Sequence, residues 1–584
     1  MTGDLLAGAG LLGAGFAAAT AILAGPSRLR CTAMLAVVVL APVLIFGDQW
    51  NSSQIQDLRD SPGRLLALGV AVLVAVLALY LLFRRRPEWL ALAVIASLPF
   101  RIPLHAGGDQ ANLLVPLYVV IAAGVLLVTL RDWRIGAGSG EGKEAGHGAG
   151  AAAGQRGGEG EVVSWAGGAE CGDRPEHPPR SAGVVGPIRR QDPPAVTWLA
   201  RLLALFVVLY TLQVLYSDDF SKGLQNVCFF LAPFSIVFVL LRELRWDRRL
   251  LTTALAVMAA EGLLFSLVGF VEYATRDLLW NGAVMRSNQF HVYFRVNSLF
   301  WDPNIFGRYL AIVIVLLVAA LIWTRRQASA LVIVGTTAVL WLGLATSFSQ
   351  SSYAALLAGL ATLAALRWSL RWTLVACAAA AMATVVVALA AGSSLRIDLS
   401  TDKKVNKETT GRLNLASGGI DLFGDRPIWG YGSGSFSTAF RQHVAKKTKP
   451  PVSESHTEPI TVAAEQGIIG LAVYLALLVA AFATLCTGLR GSIPGLQRGP
   501  PAPADDSSAT GPAGLSPSDA AGRAAVLAAF IALLVHTMAY AAFFEDPITW
   551  VLLAVGCALA VSTSHPSRSA AGADPEPDPI RTPV

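Results

Sequence analysis

Charge is what this sequence has least of. Only 14% of its 584 residues are Asp, Glu, Lys or Arg, while 54% are hydrophobic. Soluble domains carry about 25% charged residues, so a chain this long could not cover its apolar residues with polar surface in water. Cysteine is rare too. Five of the six (Cys31, Cys228, Cys377, Cys486, Cys557) lie inside apolar runs, where they read as small packing residues, and no disulfide or metal framework is visible. No basic segment precedes the first apolar run, so residues 5–24 read as a membrane span and not as a cleaved signal. The internal repeat typical of many transporters is missing. The net charge of +6 would suggest nucleic acid in a soluble protein. Here the basic residues cluster at the ends of apolar runs, so membrane lipid is the expected partner and nucleic acid is not.

What is present is a series of apolar runs, many close to the ~20 residues a helix needs to cross ~30 Å of hydrocarbon. Spans are expected near 5–24, 31–47, 65–83, 88–100, 112–130, 198–216, 224–241, 250–273, 305–323, 329–346, 352–366, 371–392, 467–489, 523–542 and 548–562. The fold class that follows is all-α: a polytopic transmembrane helix bundle of about 12–15 spans. Arg28 with Arg30, Arg84 to Arg86, Arg131 with Arg134, Arg242 to Arg249, Arg325 with Arg326, and Arg367 with Arg371 all flank spans. Assigning those ends to the cytoplasm lets every span alternate without exception.

The resulting organisation is 1–130 as N-terminal spans, 131–197 as a disordered cytoplasmic linker, and 198–392 as a transmembrane core. Residues 393–466 form a large extracytoplasmic loop of partly helical structure, 467–562 the C-terminal spans, and 563–584 a disordered tail. The linker is rich in Gly, Ala, Glu and Pro without apolar periodicity. The outer loop keeps Ile420, Leu422, Phe423, Trp429, Tyr431, Phe436 and Phe440, enough to fold on itself.

Four features of the outer face could carry chemistry. Between 393 and 455 ten basic residues stand against six acidic ones, 10 − 6 = +4, which suits phosphate-bearing ligands or an ordinary solvated loop. Arg412 precedes the stretch from Asp425 and Arg426 to Phe436, in which Gly430, Gly432 and Gly434 alternate after Pro427. Such a loop either presents N–H groups to an anion or simply makes tight turns. His456, followed by Thr457, stands before the span at 467–489, where an imidazole either transfers protons or ties the loop to the bundle. Finally, Arg295 stands among apolar and aromatic neighbours ahead of Pro303 and Asn304. An ionisable group at a membrane face is either functional or an interfacial anchor.

Taken together these residues resemble the O-antigen ligase and polymerase superfamily of bacterial membrane glycosyltransferases. The family pattern is a His, a small polar residue, nine residues, Gly, two residues, then a small residue or Tyr. It is met by His456, Thr457, Gly467 and Gly470, with Thr457 in place of the usual Asn, Ser or Gln. Upstream, Arg412 and Pro427 to Phe436 resemble the family's Arg and Pro/Gly-rich stretch, and Arg295 with Pro303-Asn304 its Arg and "P-N" pair. The resemblance covers roughly residues 198–490. It implies an inverting, metal-independent transfer of a glycan from an undecaprenyl-pyrophosphate carrier to a glycan, lipid or protein acceptor. That transfer would serve cell-surface polysaccharide or cell-wall biosynthesis, at the outer side of a bacterial cytoplasmic membrane and without a cofactor.

Elementary chemistry agrees with that expectation. Breaking the anomeric C–O bond leaves charge on the pyrophosphate, which the guanidinium forks of Arg295 and Arg412 can grip. The acceptor hydroxyl must lose a proton, and His456 is the base expected from its motif, with His291 and His443 as alternatives. Asn304, Arg426, Gly432, Gly434 and Thr457 are the expected substrate-binding residues. Two other readings stay open. One is a polymerase of the same superfamily. The other is a lipid-linked glycan flippase, for which His536, inside a span, is the main feature.

Overall fold

The computed structural model describes residues 2–106, 109–138, 192–289, 293–324, 326–390, 412–444, 455–489 and 517–562. Most of the expected linker, much of the outer loop, the tail, and His291 lie outside the described residues. Among those described, eleven helices are long and apolar enough to cross a membrane, and three shorter apolar ones (Glu88–Ser97, Leu370–Ala383, Pro547–Ser562) accompany them. The expected all-α polytopic bundle is therefore the observed architecture. The outer-loop region is partly helical as expected, with Arg412–Asp425 and Phe436–Ala439.

Two details differ from expectation. An antiparallel hairpin, Ile102–Ala106 with Asp109–Leu113, fills the turn between the short Glu88–Ser97 helix and the Val115–Gly138 helix. And the helix expected to open at residue 467 begins at Glu458 instead, running to Leu485 with a break at Gly467.

The helices arrange themselves by what each can bury. Along Pro62–Arg85 only Phe83 is buried within the protein; a helix apolar all round and otherwise unburied needs lipid as its solvent. Pro303–Trp323, with 72% of its apolar stretch buried, is the opposite case. It packs against Gln327–Ser347, Gln350–Arg367 and Pro517–Thr537. Glu458–Leu485 packs along Pro194–Val214.

At one face of the bundle, ion pairs join helix ends far apart in sequence. Arg30 bonds Asp132 at 2.7 Å and also pairs with Glu243, while Arg131 reaches both acids. Arg242 pairs with Asp192. These groups come from the ends that the arginine alternation assigns to a common side, so the alternation and the packing agree. Arg30 and Asp132 are buried, and burying two charges is tolerable only when they are paired and hydrogen-bonded.

Candidate active site

The opposite face is built around the break in Glu458–Leu485. Gly467 has φ +65° and ψ −164°, a region essentially confined to glycine. The break frees backbone groups that a continuous helix would satisfy internally. They are taken up by the Pro427–Gly434 loop: Tyr431 N donates to Ala464 O (3.1 Å), Gly432 N to Glu465 O (2.8 Å), and Ile468 N to Pro427 O (2.8 Å). Gln213 Nε2 donates to Gln466 O at 3.2 Å. The helix break and the glycine loop thus form a single interlocked unit.

The glycine loop does meet an anion, but one belonging to the chain. The buried Glu465 carboxylate accepts from Gly434 N (2.8 Å) and Phe436 N (3.0 Å). Gly432 and Gly434, expected to face substrate, have their N–H groups occupied in this way. The reason is local: Glu465 lies on the face of the helix that the loop covers. Arg426 is exposed and stacks over the Tyr431 ring at 4.2 Å. His443 lies beside the same ring, 5.0 Å between centroids.

His456 follows directly from that unit. It adopts a left-handed backbone, φ +63°, which costs a non-glycine residue roughly 1–3 kcal/mol unless its surroundings impose it. They do. Thr457 Oγ1 donates to Met538 O at 3.2 Å. The buried Glu458 carboxylate accepts from Ala542 N (2.9 Å) and Phe543 N (3.1 Å). The His456 segment is therefore fastened to the turn after Pro517–Thr537, and its ring lies 6.2 Å from that of Tyr540. Thr457, expected to bind substrate, makes this fastening contact.

Arg295 is held at the same face. Its backbone exchanges hydrogen bonds with the Asn288 side chain. Its Nε donates to Ser347 O and its Nη2 to Asn304 Oδ1, both at 3.1 Å. The following turn is fixed by the Glu272 carboxylate, which accepts from Asn297 N (3.2 Å) and Ser298 N (2.7 Å). From Asn304 the contacts continue inward: Ser349 Oγ donates to Asn304 Oδ1 (2.8 Å), Ser349 and Ser351 lie 3.2 Å apart, and Ser351 bonds His536 Nε2 at 3.1 Å. The His536 ring is 5.8 Å from Tyr540. Arg295 and His456 are thereby connected through the buried Asn304, Ser349, Ser351 and His536, and then by ring contacts through the half-buried Tyr540.

Arg412 opens the Arg412–Asp425 helix, which packs on Glu458–Leu485 through Leu422, Tyr431, Phe436 and Phe440. Its side chain lies outside the described residues. Among the described residues no group of three His, Cys, Asp or Glu is placed to hold a metal.

The sequence reading missed an ion pair at the heart of this face. Arg308 bonds Asp546 at 2.6 Å, both side chains 2% exposed, and its guanidinium sits 6.0 Å from the Tyr540 ring centre. The signal was there: an arginine one turn inside an apolar span is a functional candidate by default. Asp546 is visible in sequence only as half of an acidic pair.

Residues 335–475 match the family model for O-antigen ligase. That match supports the O-antigen ligase superfamily. The matched stretch runs from within the Gln327–Ser347 helix past the break at Gly467, and so includes Ser347 to Ser352, Arg412, the glycine loop and His456. Arg295, Asn304, Arg308 and Asp546 lie beyond it and reach the same face through the fold. No curated protein matches the chain.

Proposed function

We propose that this protein transfers a glycan from an undecaprenyl-pyrophosphate carrier to an acceptor hydroxyl outside the cytoplasmic membrane of a bacterium. The observation that carries this reading is the meeting of His456, Tyr540, Arg308 and the Arg295–Asn304 pair at one face of an apolar bundle. In this reading the acceptor oxygen attacks the anomeric carbon and its proton passes to the His456 imidazole. The bond from that carbon to the pyrophosphate oxygen breaks with inversion, and undecaprenyl pyrophosphate leaves with the electron pair. Arg295 and Arg412 stabilise the charge that develops there, so no metal is required. A ligase and a polymerase would share this donor chemistry and differ in the acceptor. His536, the feature that favoured a flippase, stands at the end of its helix and bonds Ser351 of this same face, which favours the enzyme.

Two measurements bear on this. Arg295→Lys keeps the charge but lacks the planar fork whose separate nitrogens reach Ser347 O and Asn304 Oδ1. Turnover is expected to fall about a hundredfold, the usual scale for losing one transition-state donor, with folding unchanged and with activity surviving EDTA. Wild-type rates in both Arg295→Lys and Arg412→Lys, or strict dependence on Mg²⁺, would place the charge stabilisation elsewhere.

Sidedness follows from the arginine alternation. In a variant lacking the native cysteines, Ser417→Cys should react with an impermeant thiol reagent in intact cells and Gln327→Cys only after permeabilisation. Both positions are exposed. The reverse pattern would turn the proposed site toward the cytoplasm.

A further inference from the structure

The turn at Phe100 and Arg101, between the Glu88–Ser97 helix and the hairpin, belongs neither to the O-antigen ligase region nor to the span of the resemblance. It nevertheless reaches the site. The Phe100 ring packs edge-on against Phe265 at 6.0 Å, and Phe265 in turn contacts Phe300 (5.2 Å) and Tyr309 (5.8 Å). That packing places the turn beside the Arg248–Thr275 helix, against which the short Glu88–Ser97 helix also rests. The strongest electrostatic neighbour of Arg101 is Asp546, followed by Arg308, Tyr540 and Glu545.

Both guanidinium groups therefore act on one carboxylate, Asp546, and each carries an unmet donor. Arg101 Nε is buried with no hydrogen-bond partner, and so is Arg308 Nη1, although Arg308 spends Nη2 on Asp546. Glu545 is a weaker neighbour and lines a cavity of about 50 Å³ with Glu458 and Glu465. Burial pushes the Arg101 guanidinium below its ordinary value. An arginine stays charged even so. Two like charges near one carboxylate, the buried Arg308 and the half-buried Arg101, with buried donors left over, are costly unless a second anion completes the set.

We propose that Arg101 and Arg308 form a cradle for a phosphate group, and that its ligand is the diphosphate of the lipid-linked donor. The assignment of the lipid source rests on the function proposed above; the anion chemistry does not. Asn304, which holds Arg295, and Arg308 stand one turn apart on the Pro303–Trp323 helix, about 5–6 Å between neighbouring side-chain origins. Arg295 can thus meet one phosphate of a diphosphate while Arg308 and Arg101 meet the other. The N-terminal helices would then be part of the donor site and not an accessory.

The test is binding to the full-length protein in lipid nanodiscs, with polyprenyl diphosphate, inorganic pyrophosphate and polyprenol as probes. Arg101→Gln and Arg101→Lys should each weaken polyprenyl diphosphate binding by about tenfold or more. Polyprenol binding should be unaffected. The unliganded thermal midpoint of Arg101→Gln should be unchanged or higher, because an uncompensated charge has been removed. A structural arginine would instead lower the midpoint and leave binding alone, which would overturn the proposal. If the wild type binds polyprenyl diphosphate and both variants bind it equally well, the cradle is wrong while the lipid-diphosphate reading stands. If Arg101 governs inorganic pyrophosphate but polyprenyl diphosphate binds no better than polyprenol, the anion site is real, and both its assignment to the donor and the proposed donor class fall.

Discussion

His456→Ala is expected to lower glycan transfer by about 10²–10⁴-fold, the usual contribution of a general base, with binding of polyprenyl diphosphate retained. The expectation rests on how the residue is held. A left-handed histidine is strained, and the chain maintains the strain by fastening Thr457 to Met538 and Glu458 to the amides of Ala542 and Phe543. Such strain is a known companion of functional positions. It also supplies a control. His456→Gly relieves the backbone and should fold at least as well as the wild type, yet be as inactive as His456→Ala. His456→Gln keeps a hydrogen-bonding side chain and should not rescue transfer. A Gln variant of wild-type activity would make His456 a structural tie and leave the base unassigned.

Gly467→Ala, like Gly430→Ala on the facing loop, is expected to be among the costliest additions of a single methyl group among the described residues. A Cβ at Gly467 would lie 2.2 Å from Ile428 O and 2.4 Å from its carbonyl carbon, which is backbone and cannot rotate away. The backbone conformation adds strain of its own, on the order of 1–3 kcal/mol. Relief requires either straightening the helix or expelling the Pro427–Gly434 loop, and either change strands the amides now bonded to Ala464 O, Glu465 O and the Glu465 carboxylate. Buried donors left unmet cost about 1–3 kcal/mol each. A combined loss of several kcal/mol should appear as a large drop in the thermal midpoint in detergent together with loss of activity. Gly335→Ala, within the Gln327–Ser347 helix, serves as the comparison, since there a Cβ would meet nothing within 4 Å. Equal midpoints for wild type and Gly467→Ala would mean that the break is not a required feature.

The spans were legible because hydropathy is a property of composition over some twenty residues. The expected 305–323 and 329–346 lie within the observed Pro303–Trp323 and Gln327–Ser347. The start of Glu458–Leu485 was not legible for the same reason. Its opening turns hold Glu458, Glu465 and Gln466, buried polar residues, of which Glu458 and Glu465 belong inside because they accept from backbone amides of distant loops. Arg308 was hidden by its apolar neighbours, and its partner Asp546 comes from more than 200 residues away. The glycine loop reads from its own sequence either as a set of N–H donors or as tight turns, and nothing in it says that the Glu465 carboxyl would meet the amides of Gly434 and Phe436. His456 and Arg295 stood out because each breaks its surroundings: a histidine at a span mouth and an arginine among aromatics.

The most direct measurement is transfer in proteoliposomes holding a polyprenyl-pyrophosphate-linked glycan and an acceptor, with glycosylated product and free polyprenyl pyrophosphate counted together. The two should appear in equal amounts with the wild-type protein, and both should be nearly abolished in His456→Ala. Movement of the intact lipid-linked glycan across the bilayer without release of polyprenyl pyrophosphate would contradict an enzyme and make this face a transport gate.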